Sequence, residues 1–403
     1  MSQEQAHTQA AGHQSATVIG VVGAGTMGRG IAQVAATAGH QVLLYDSDQE
    51  VLSQSRRFLE KIHGRLVEKG RLSRQEADAV LDRISDVEDF SRLAPSGVVV
   101  EAVVENLDVK RGVFAQLEEI LDEKALLATN TSSLSVTSVA SACKRPQQVL
   151  GAHFFNPAPL MDLVEVVPGI ATGSSAVKCC RGLIDSWGKT TVLAKDTPGF
   201  IVNRVARPFY GEALRILDEG IADVPTIDWA MEELGGFRMG PFKLMDLIGN
   251  DVNLKVTETV FQAFFYDPRF KPSFTQKRMV EAGRLGRKTG RGYYDYSEGA
   301  ERPEPNKNLD LGQRILDRVL AMLINEAADA VFMQVASAED VDLAMTKGVN
   351  YPRGLLEWAD EIGPQVVLGR LQELQAEYGE DRYRPNPLLR RVVRQGRRFR
   401  DTF

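Results

Sequence analysis

The pattern of hydrophobic and polar positions in the first half of the chain predicts strands and helices in alternation. Residues 17–25 form an apolar, β-branched run that is typical of a buried parallel strand. The Ala-rich stretch 27–39 predicts a helix, and residues 48–83, which are charged and periodic, predict a helix pair. Further strands are predicted at residues 41–45, 97–104, 126–129, 148–153 and 163–167. This alternation predicts an α/β fold built on a Rossmann-type, doubly wound parallel sheet.

The pattern changes near residue 200, after which almost every segment predicts helix. Glycine and proline pairs mark turns between these helices, and the polar segment 297–308 is expected to be a linker. We therefore divide the chain into an N-terminal tail (1–16), expected to be disordered, a Rossmann domain (17–198) and two all-α domains (199–300 and 310–403).

The two predicted helical domains share an internal repeat. A shift of 114 residues, without gaps, aligns Glu212 with Glu326, Asp228 with Asp342, and Asp246 with Asp360. The register holds over some 46 residues, which two unrelated helical segments would rarely share. The sequence thus predicts that the second helical domain is an internal duplicate of the first.

Composition narrows the class of protein. The net charge of -6 argues against a nucleic-acid-binding surface. No apolar run is long enough to cross a membrane, and the polar N-terminus lacks the apolar segment of a signal peptide. The 3 cysteines and 5 histidines lack disulfide or metal-ligand spacing, so no metal is expected. A cytoplasmic protein that binds neither membrane nor nucleic acid is predicted.

A glycine-rich turn follows the first predicted strand. Gly23, Gly25 and Gly28 have the G-x-G-x-x-G spacing, with Thr26 and Met27 inside it. Such a turn lets the backbone approach a pyrophosphate at the N-terminus of the following helix. Asp46, at the end of the next strand, predicts a contact to the adenine ribose and repulsion of a 2′-phosphate, which favours NAD over NADP. The alternative is a plain strand–turn–helix unit without a ligand.

A histidine and a glutamate stand out in two successive apolar strands. His153 ends one strand, and Glu165 lies inside the next. A carboxylate in an apolar strand is costly unless it is paired. Neighbouring strands could bring the two side chains together, so that Glu165 orients His153 as a general base. On chemistry alone it stays equally open that His153 caps its strand and Glu165 faces solvent.

Several motifs resemble signatures of the 3-hydroxyacyl-CoA dehydrogenases. They are Asn130-Thr-Ser-Ser-Leu134, Gly151-Ala-His-Phe-Phe-Asn-Pro157 with Leu163-Val-Glu-Val-Val167, and Thr197-Pro-Gly-Phe-Ile-Val-Asn-Arg204. The similarity extends from about residue 17 to residue 297, in the family's order and spacing. It implies NAD-dependent oxidation of a 3-hydroxyacyl-CoA to the 3-oxoacyl-CoA, by reversible hydride transfer.

The resemblance also implies roles for residues. His153 would be the general base with Glu165 as its partner, while Ser132 and Asn203 would hold the 3-oxygen and the neighbouring carbonyl. The remaining positions match cofactor contacts (Glu105, Lys110, Asn130 and Lys288) and a substrate contact (Asn156).

A basic segment lies within the predicted helix pair. It contains Arg56, Arg57, Lys61, Arg65, Lys69, Arg71 and Arg74. A solvated helix face is the simpler interpretation for most of these residues. In the family this helix pair binds the acyl-CoA substrate, and Lys69 matches a CoA contact.

A narrower similarity is to the bacterial 3-hydroxyadipyl-CoA dehydrogenases of phenylacetate catabolism, with the 3-hydroxybutyryl-CoA dehydrogenases of fatty-acid metabolism as close relatives. It rests on Asn203-Arg-Val-Ala-Arg-Pro208, Asp246-Leu-Ile-Gly-Asn-Asp-Val252, Gly283-Arg-Leu-Gly-Arg287 and the repeat. Short-chain members have an aliphatic residue at the position of Arg207, which lies one helical turn from Asn203. Arg207 could therefore bind a distal carboxylate, or it could be a surface residue that shields a helix end.

The second helical domain has Asp317 where the first has Asn203, so it is not expected to form a second active site. We expect it to pack on the first domain as an internal pseudo-dimer, and a further homo-oligomer stays open. Two other functions also stay open. One is a β-hydroxyacid dehydrogenase that acts on a free acid, and the other is a catalytically retired paralogue of the crystallin kind.

Overall fold

The computed structural model describes residues 17–301 and 303–402. The tail predicted at residues 1–16 lies outside the described residues. The chain forms two compact units that divide between Thr191 and Val192, inside the last strand of a sheet, whereas the sequence places this boundary at residue 198. The described helices include none that combines the length and apolar character needed to cross a membrane.

An eight-stranded sheet forms the first unit's framework. Its strands are β1 (Ile19–Val22), β2 (Val42–Tyr45), β3 (Ile84–Val87), β4 (Val98–Glu101), β5 (Leu126–Thr129), β6 (Val149–Phe154), β7 (Leu163–Pro168) and β8 (Thr190–Leu193). They lie in the order β3-β2-β1-β4-β5-β6-β7-β8, and the α/β, Rossmann-type fold is confirmed. The six strands β1 to β6 run parallel to one another, whereas β7 runs antiparallel to β6. The sheet is therefore mixed, and not wholly parallel as the sequence suggests.

Among the described residues, six α-helices accompany the sheet: α1 (Thr26–Thr37), α2 (Gln49–Glu68), α3 (Arg74–Asp82), α4 (Leu107–Ile120), α5 (Val136–Ala140) and α6 (Ser174–Ser186). Side chains cap the starts of α2, α3 and α4, where Asp48, Ser73 and Asn106 accept backbone N–H groups. Helix α1 differs because its N-cap is Gly25, which has no side chain. Its first N–H groups are therefore left for another partner.

The second unit consists of helices after the end of β8. The first helical half (residues 199–300) contains α7 (Val202–Val205), α8 (Arg207–Asp218), α9 (Val224–Trp229), α10 (Pro241–Ile248), α11 (Asn250–Ala263) and α12 (Phe274–Glu281). The second helical half (residues 309–402) contains α13 (Leu309–Phe332), α14 (Ala338–Val349), α15 (Leu355–Ile362), α16 (Pro364–Tyr378) and α17 (Pro387–Arg394). A π-helical turn, Ala230–Leu234, extends α9.

The two halves repeat a local hydrogen-bonding pattern. Asp228 accepts two backbone N–H groups at the start of α10, at 2.9 and 3.0 Å. Asp342, 114 residues later, accepts two at the start of α15, at 2.8 and 2.9 Å. Each carboxylate satisfies N–H groups that a helix start leaves without partners. The register found in the sequence therefore corresponds to equivalent structure in the two halves.

Buried ion pairs join the two helical halves reciprocally. Glu212 of the first half is fully buried, and it pairs with Arg318 at 3.0 Å and with Arg382, both from the second half. Glu326 of the second half is also fully buried, and it pairs with Arg269 of the first half at 3.1 Å. Glu212 and Glu326 are 114 residues apart. Equivalent carboxylates thus each receive an arginine from the other half.

Candidate active site

The glycine turn leaves open space over the start of α1. Gly23 has a φ of 97°, and a Cβ atom at Gly28 would lie 1.7 Å from the carbonyl oxygen of Gly23. Both positions therefore require glycine. At Gly25 a Cβ would meet no heavy atom within 4 Å, and the adjacent Thr26 is exposed. The uncapped helix start and this free space fit a pyrophosphate group.

Asp46 lies beside this turn, directly after β2. Its Oδ2 atom accepts the N–H of Ala24 at 2.7 Å, and its Oδ1 atom accepts the N–H of Asp48 at 3.0 Å. These two bonds hold the carboxylate next to the glycine turn. A negative charge fixed there is suited to accept hydrogen bonds from ribose hydroxyls and disfavours a 2′-phosphate.

Strands β6 and β7 place His153 and Glu165 directly opposite each other. The Nδ1 atom of His153 lies 2.6 Å from Oε2 of Glu165. Glu165 is fully buried, His153 is 6% exposed, and the ring centroid of Phe155 lies 4.5 Å from that of His153. Directly opposed residues of antiparallel neighbours lie on the same face of a sheet. The two residues therefore form the pair that the sequence suggests, and Glu165 does not face solvent.

A second cluster, buried at Glu101 and Lys110 and reaching the surface at Glu105, lies at the ends of β4 and β5. Lys110 is 1% exposed and pairs with Glu101 at 2.6 Å and with Glu105 at 3.3 Å. Glu105 also accepts hydrogen bonds from the Thr131 hydroxyl at 2.6 Å and the Ser132 N–H at 3.0 Å. Burial alone would raise the pKa of Glu105, but Lys110 and these hydrogen bonds outweigh it and lower the pKa. Glu105 is therefore held as a carboxylate.

Asn130 connects the two clusters. Its backbone N–H donates to the carbonyl of Glu101 at 2.8 Å, and its side-chain oxygen accepts the N–H of Phe154, the neighbour of His153, at 2.8 Å. Asn156, which follows β6, is exposed. The structure thus gathers these candidate residues at the carboxyl ends of β4, β5 and β6, the edge at which ligands bind in sheets of this type.

The basic segment divides into an internally bonded residue and exposed ones. Arg56 pairs with Asp86 at 3.0 Å and donates to the carbonyl oxygens of Leu81 and Ile84, so it holds α2 against the end of α3 and against β3. Lys69 is exposed and follows the last residue of α2. The exposed members of the segment also include Arg57, Lys61, Arg65, Arg71 and Arg74. The cations around Lys69, rather than Arg56, are the ones accessible to an anionic ligand.

Three candidate residues belong to the second unit. Asn203 is half-buried in α7, and Lys288 pairs with Asp251 at 2.6 Å. Arg207, at the start of α8, is only 8% exposed, so its interpretation as a surface residue is wrong. Its guanidinium donates to the carbonyl of Asn203 at 3.0 Å and to the hydroxyl of Thr257 at 3.3 Å.

Comparison with known proteins identifies the family. A sequence model of the 3-hydroxyacyl-CoA dehydrogenase NAD binding domain matches residues 18–197. The model of the C-terminal domain of 3-hydroxyacyl-CoA dehydrogenase matches residues 199–296 and, a second time, residues 315–402. The chain belongs to the 3-hydroxyacyl-CoA dehydrogenase family. It is an NAD-dependent enzyme that oxidises 3-hydroxyacyl-CoA thioesters, as its motifs predict.

Relatives of this dehydrogenase are named for substrates with two different acyl chains. The 3-hydroxyadipyl-CoA dehydrogenase of Escherichia coli K12 is 41% identical, over 92% of this chain and 96% of that protein. A probable 3-hydroxybutyryl-CoA dehydrogenase of Deinococcus radiodurans is 42% identical, over 69% of this chain and 99% of that protein. A crystal structure of 3-hydroxybutyryl-CoA dehydrogenase from E. coli K12 matches with a TM-score of 0.89 and 39% identity, covering 94% of this chain and 99% of that one.

Two residues of the dehydrogenase site are missed by the sequence analysis. Glu101 is fully buried and holds Lys110, and Thr131 donates to Glu105. Glu101 shares one signal with Glu165, a carboxylate next to apolar strand residues, but no histidine on a neighbouring predicted strand marks a partner for it. Thr131 has no comparable signal, since a threonine in a polar loop is common.

Proposed function

We propose that His153, oriented by Glu165, is the general base that removes the proton of the substrate's 3-hydroxyl group. The observation that carries this proposal is the 2.6 Å contact between Nδ1 of His153 and the fully buried Glu165. A carboxylate at Nδ1 favours the tautomer with its proton on that nitrogen, which leaves Nε2 as the basic atom. The same carboxylate stabilises the imidazolium that forms when Nε2 accepts the hydroxyl proton.

The first unit offers residues for the cofactor and the reacting oxygen. NAD, when bound, supplies the hydride acceptor. The glycine turn would hold its pyrophosphate, with Thr26 and Met27 at the helix start, Asp46 would bind the adenine ribose, and Glu105 the nicotinamide ribose. Lys110 is enclosed by two carboxylates, which favours a role in positioning Glu105, and Asn130 would position the backbone next to His153. Ser132 would hold the 3-oxygen of the substrate.

Replacement of the base tests this mechanism. His153→Gln should lower kcat by about 100- to 10,000-fold, because proton removal then falls to water. The KM for NAD should stay unchanged, since the glycine turn is intact. Initial rates of NADH formation from 3-hydroxybutyryl-CoA measure both values.

His40→Gln provides the matched control, because this half-buried histidine of the same unit hydrogen-bonds to a backbone carbonyl and lies outside the proposed site. It should leave kcat unchanged. A His153→Gln variant with kcat within about threefold of the parent would overturn the assignment of the base.

We further propose that the preferred acyl chain ends in a carboxylate, as in 3-hydroxyadipyl-CoA. The guanidinium of Arg207 is buried, and its contacts in the described part of the chain are a carbonyl, a hydroxyl and the ring of Tyr210, none of which carries a negative charge. A buried cation is costly unless an anion compensates it. Arg207 lies one helical turn from Asn203, which we propose binds the substrate's carbonyl oxygen. A distal carboxylate would supply the missing charge.

We infer that the second helical half arose by duplication and packs on the first as an internal pseudo-dimer. The double match of the C-terminal-domain model and the reciprocal arginine–glutamate pairs support this proposal. In a two-fold interface, each contact recurs with the partners exchanged. The second half has Asp317 in place of Asn203, and that aspartate pairs with Arg370 at 2.9 Å. We assign the second half to packing and specificity, without a second active site.

The exposed cations around Lys69 would bind the phosphates of CoA. A cytoplasmic location is also proposed, because Cys143, Cys179 and Cys180 are all free thiols, which suits a reducing compartment.

A further inference from the structure

Resting on the proposed substrate with a distal carboxylate, we propose that Tyr351 of the second helical half completes the carboxylate site around Arg207. Tyr351 would donate its hydroxyl to the carboxylate that Arg207 binds. The second half would then determine which acyl chain the enzyme accepts.

Both side chains are buried and lack the partners that their chemistry requires. Arg207 is 8% exposed, and its described contacts include no carboxylate. Tyr351 is 6% exposed, and its Oη atom has no hydrogen-bond partner among the described residues. Buried hydroxyls are nearly always hydrogen-bonded, so a partnerless one needs an explanation. A single carboxylate could satisfy both groups, because it carries the negative charge and has several acceptor positions.

Ring contacts bring the two residues into one cluster. The guanidinium carbon of Arg207 lies 4.9 Å from the ring centroid of Tyr210. The ring of Phe209 lies 5.6 Å from that of Tyr210 and 5.7 Å from that of Tyr351. Burial lowers the pKa of Arg207, and the phenol groups of Tyr210 and Tyr351 oppose that effect. Burial raises the pKa of Tyr351, and Arg207 opposes that effect in turn. The two groups are therefore within electrostatic reach of each other.

The positions that correspond to this cluster in the other half of the repeat are occupied by apolar residues. A shift of 114 residues takes Arg207, Tyr210, Thr257 and Tyr351 to Ala321, Ile324, Leu371 and Phe237. All four of these counterparts are buried. Packing alone can therefore be met by apolar residues at these positions. The polar set occurs only on the side that carries Asn203, which ties it to the substrate rather than to the interface.

The variant Tyr351→Phe tests the proposal, because it removes one oxygen and reproduces the residue found at the equivalent position 237. We expect the KM for 3-hydroxyadipyl-CoA to rise about 10- to 100-fold, the usual effect of losing a buried hydrogen bond to a charged group. The kcat should stay within about twofold, since a contact made equally in ground and transition states affects KM. The kinetics of 3-hydroxybutyryl-CoA, which has no distal carboxylate, should not change.

Tyr293→Phe is the matched control. The Oη atom of Tyr293 is also buried without a partner among the described residues, but its ring packs on Phe242, in another part of the first helical half. This variant should leave the kinetics of both substrates unchanged. The thermal unfolding midpoint of Tyr351→Phe should not fall, because no bonded group is lost.

Arg207→Met separates this inference from the proposed function on which it rests. Selective loss of 3-hydroxyadipyl-CoA in Arg207→Met, with no effect in Tyr351→Phe, would overturn only the role of Tyr351. Equal effects of Arg207→Met on both substrates would overturn the distal-carboxylate function itself. An equal loss of both substrates in Tyr351→Phe would indicate a structural role and would also overturn the inference.

Discussion

Single carboxylates within apolar surroundings define much of this site. Glu165 and Glu101 are both fully buried in strands, and each is stabilised by a cationic or protonatable partner, His153 and Lys110 respectively. The sequence reveals Glu165 because a histidine ends the preceding strand. It does not reveal Glu101, whose partner lies nine positions later on a helix. Tyr351 has no local signal at all, because its environment arises only when the two helical halves pack together.

Asp46 is the residue that should set the choice of cofactor. Asp46→Asn keeps the hydrogen-bonding shape and removes the negative charge, so a 2′-phosphate is no longer repelled. We expect the preference for NAD over NADP, measured as the ratio of kcat/KM values, to fall about 10- to 100-fold.

Asp48→Asn is the control for that prediction. It removes a charge two residues away, and asparagine caps a helix as well as aspartate does, so α2 should start as before. If both variants change the cofactor preference equally, a general charge effect, rather than a contact of Asp46, is responsible.

At the scale of elements, whether a strand can be predicted depends on its pattern of apolar and polar residues. The strands β1, β5 and β6 coincide with apolar or β-branched runs and are predictable. β3 and β8 are no shorter than β1 and β5, with four residues each, but they are missed because β3 has two exposed polar residues at its centre and β8 begins with two threonines. The antiparallel direction of β7 is not predictable either, since a short connection of eight residues between β6 and β7 has no pattern that fixes direction. That direction nonetheless sets His153 opposite Glu165.

The end of α2 is the element that we expect to bind CoA. Lys69→Glu should raise the KM for the acyl-CoA several-fold and leave the KM for NAD unchanged, because the charge would repel the CoA phosphates. The increase should shrink as salt is added, since exposed charges are screened. Initial rates at low and high ionic strength measure the effect.

Lys124→Glu is the comparison, because it reverses an equally exposed charge outside the basic segment, shortly after the end of α4, and should leave the KM for the acyl-CoA unchanged. Unfolding curves of both variants should be recorded, since a negative charge at a helix C-terminus is itself destabilising by about 0.3–1 kcal/mol. An unchanged acyl-CoA KM in Lys69→Glu would rule out the patch as the CoA site.

The whole molecule depends on the contact between the helical halves. Helix α8 packs along α13, and the buried Glu212 depends on arginines from the second half. Removing the arginines would leave an uncompensated buried charge, which costs about 3–5 kcal/mol. The repeated register of the two halves can be read from the sequence. The arginine that pairs with each buried glutamate cannot, because it lies about 60 to 170 positions away in the chain.

Deletion of residues 310–403 tests this dependence. The shortened chain exposes the apolar face of α8 together with Glu212, so it should aggregate or form an intermolecular dimer. Light scattering coupled to size-exclusion chromatography, with the full chain as reference, gives the mass. A well-behaved monomer would contradict the internal pseudo-dimer.

The segment 297–308 connects the two halves in one chain, and Asn306 within it donates its N–H to Thr226 of the first half at 2.9 Å. The halves therefore meet at an effective local concentration of about millimolar, whatever the amount of protein in solution. An enzyme assembled from separate chains comes apart on dilution when its concentration falls below the dissociation constant. This chain keeps its paired helices, and with them the contact of Tyr351 with the first half, in the most dilute sample.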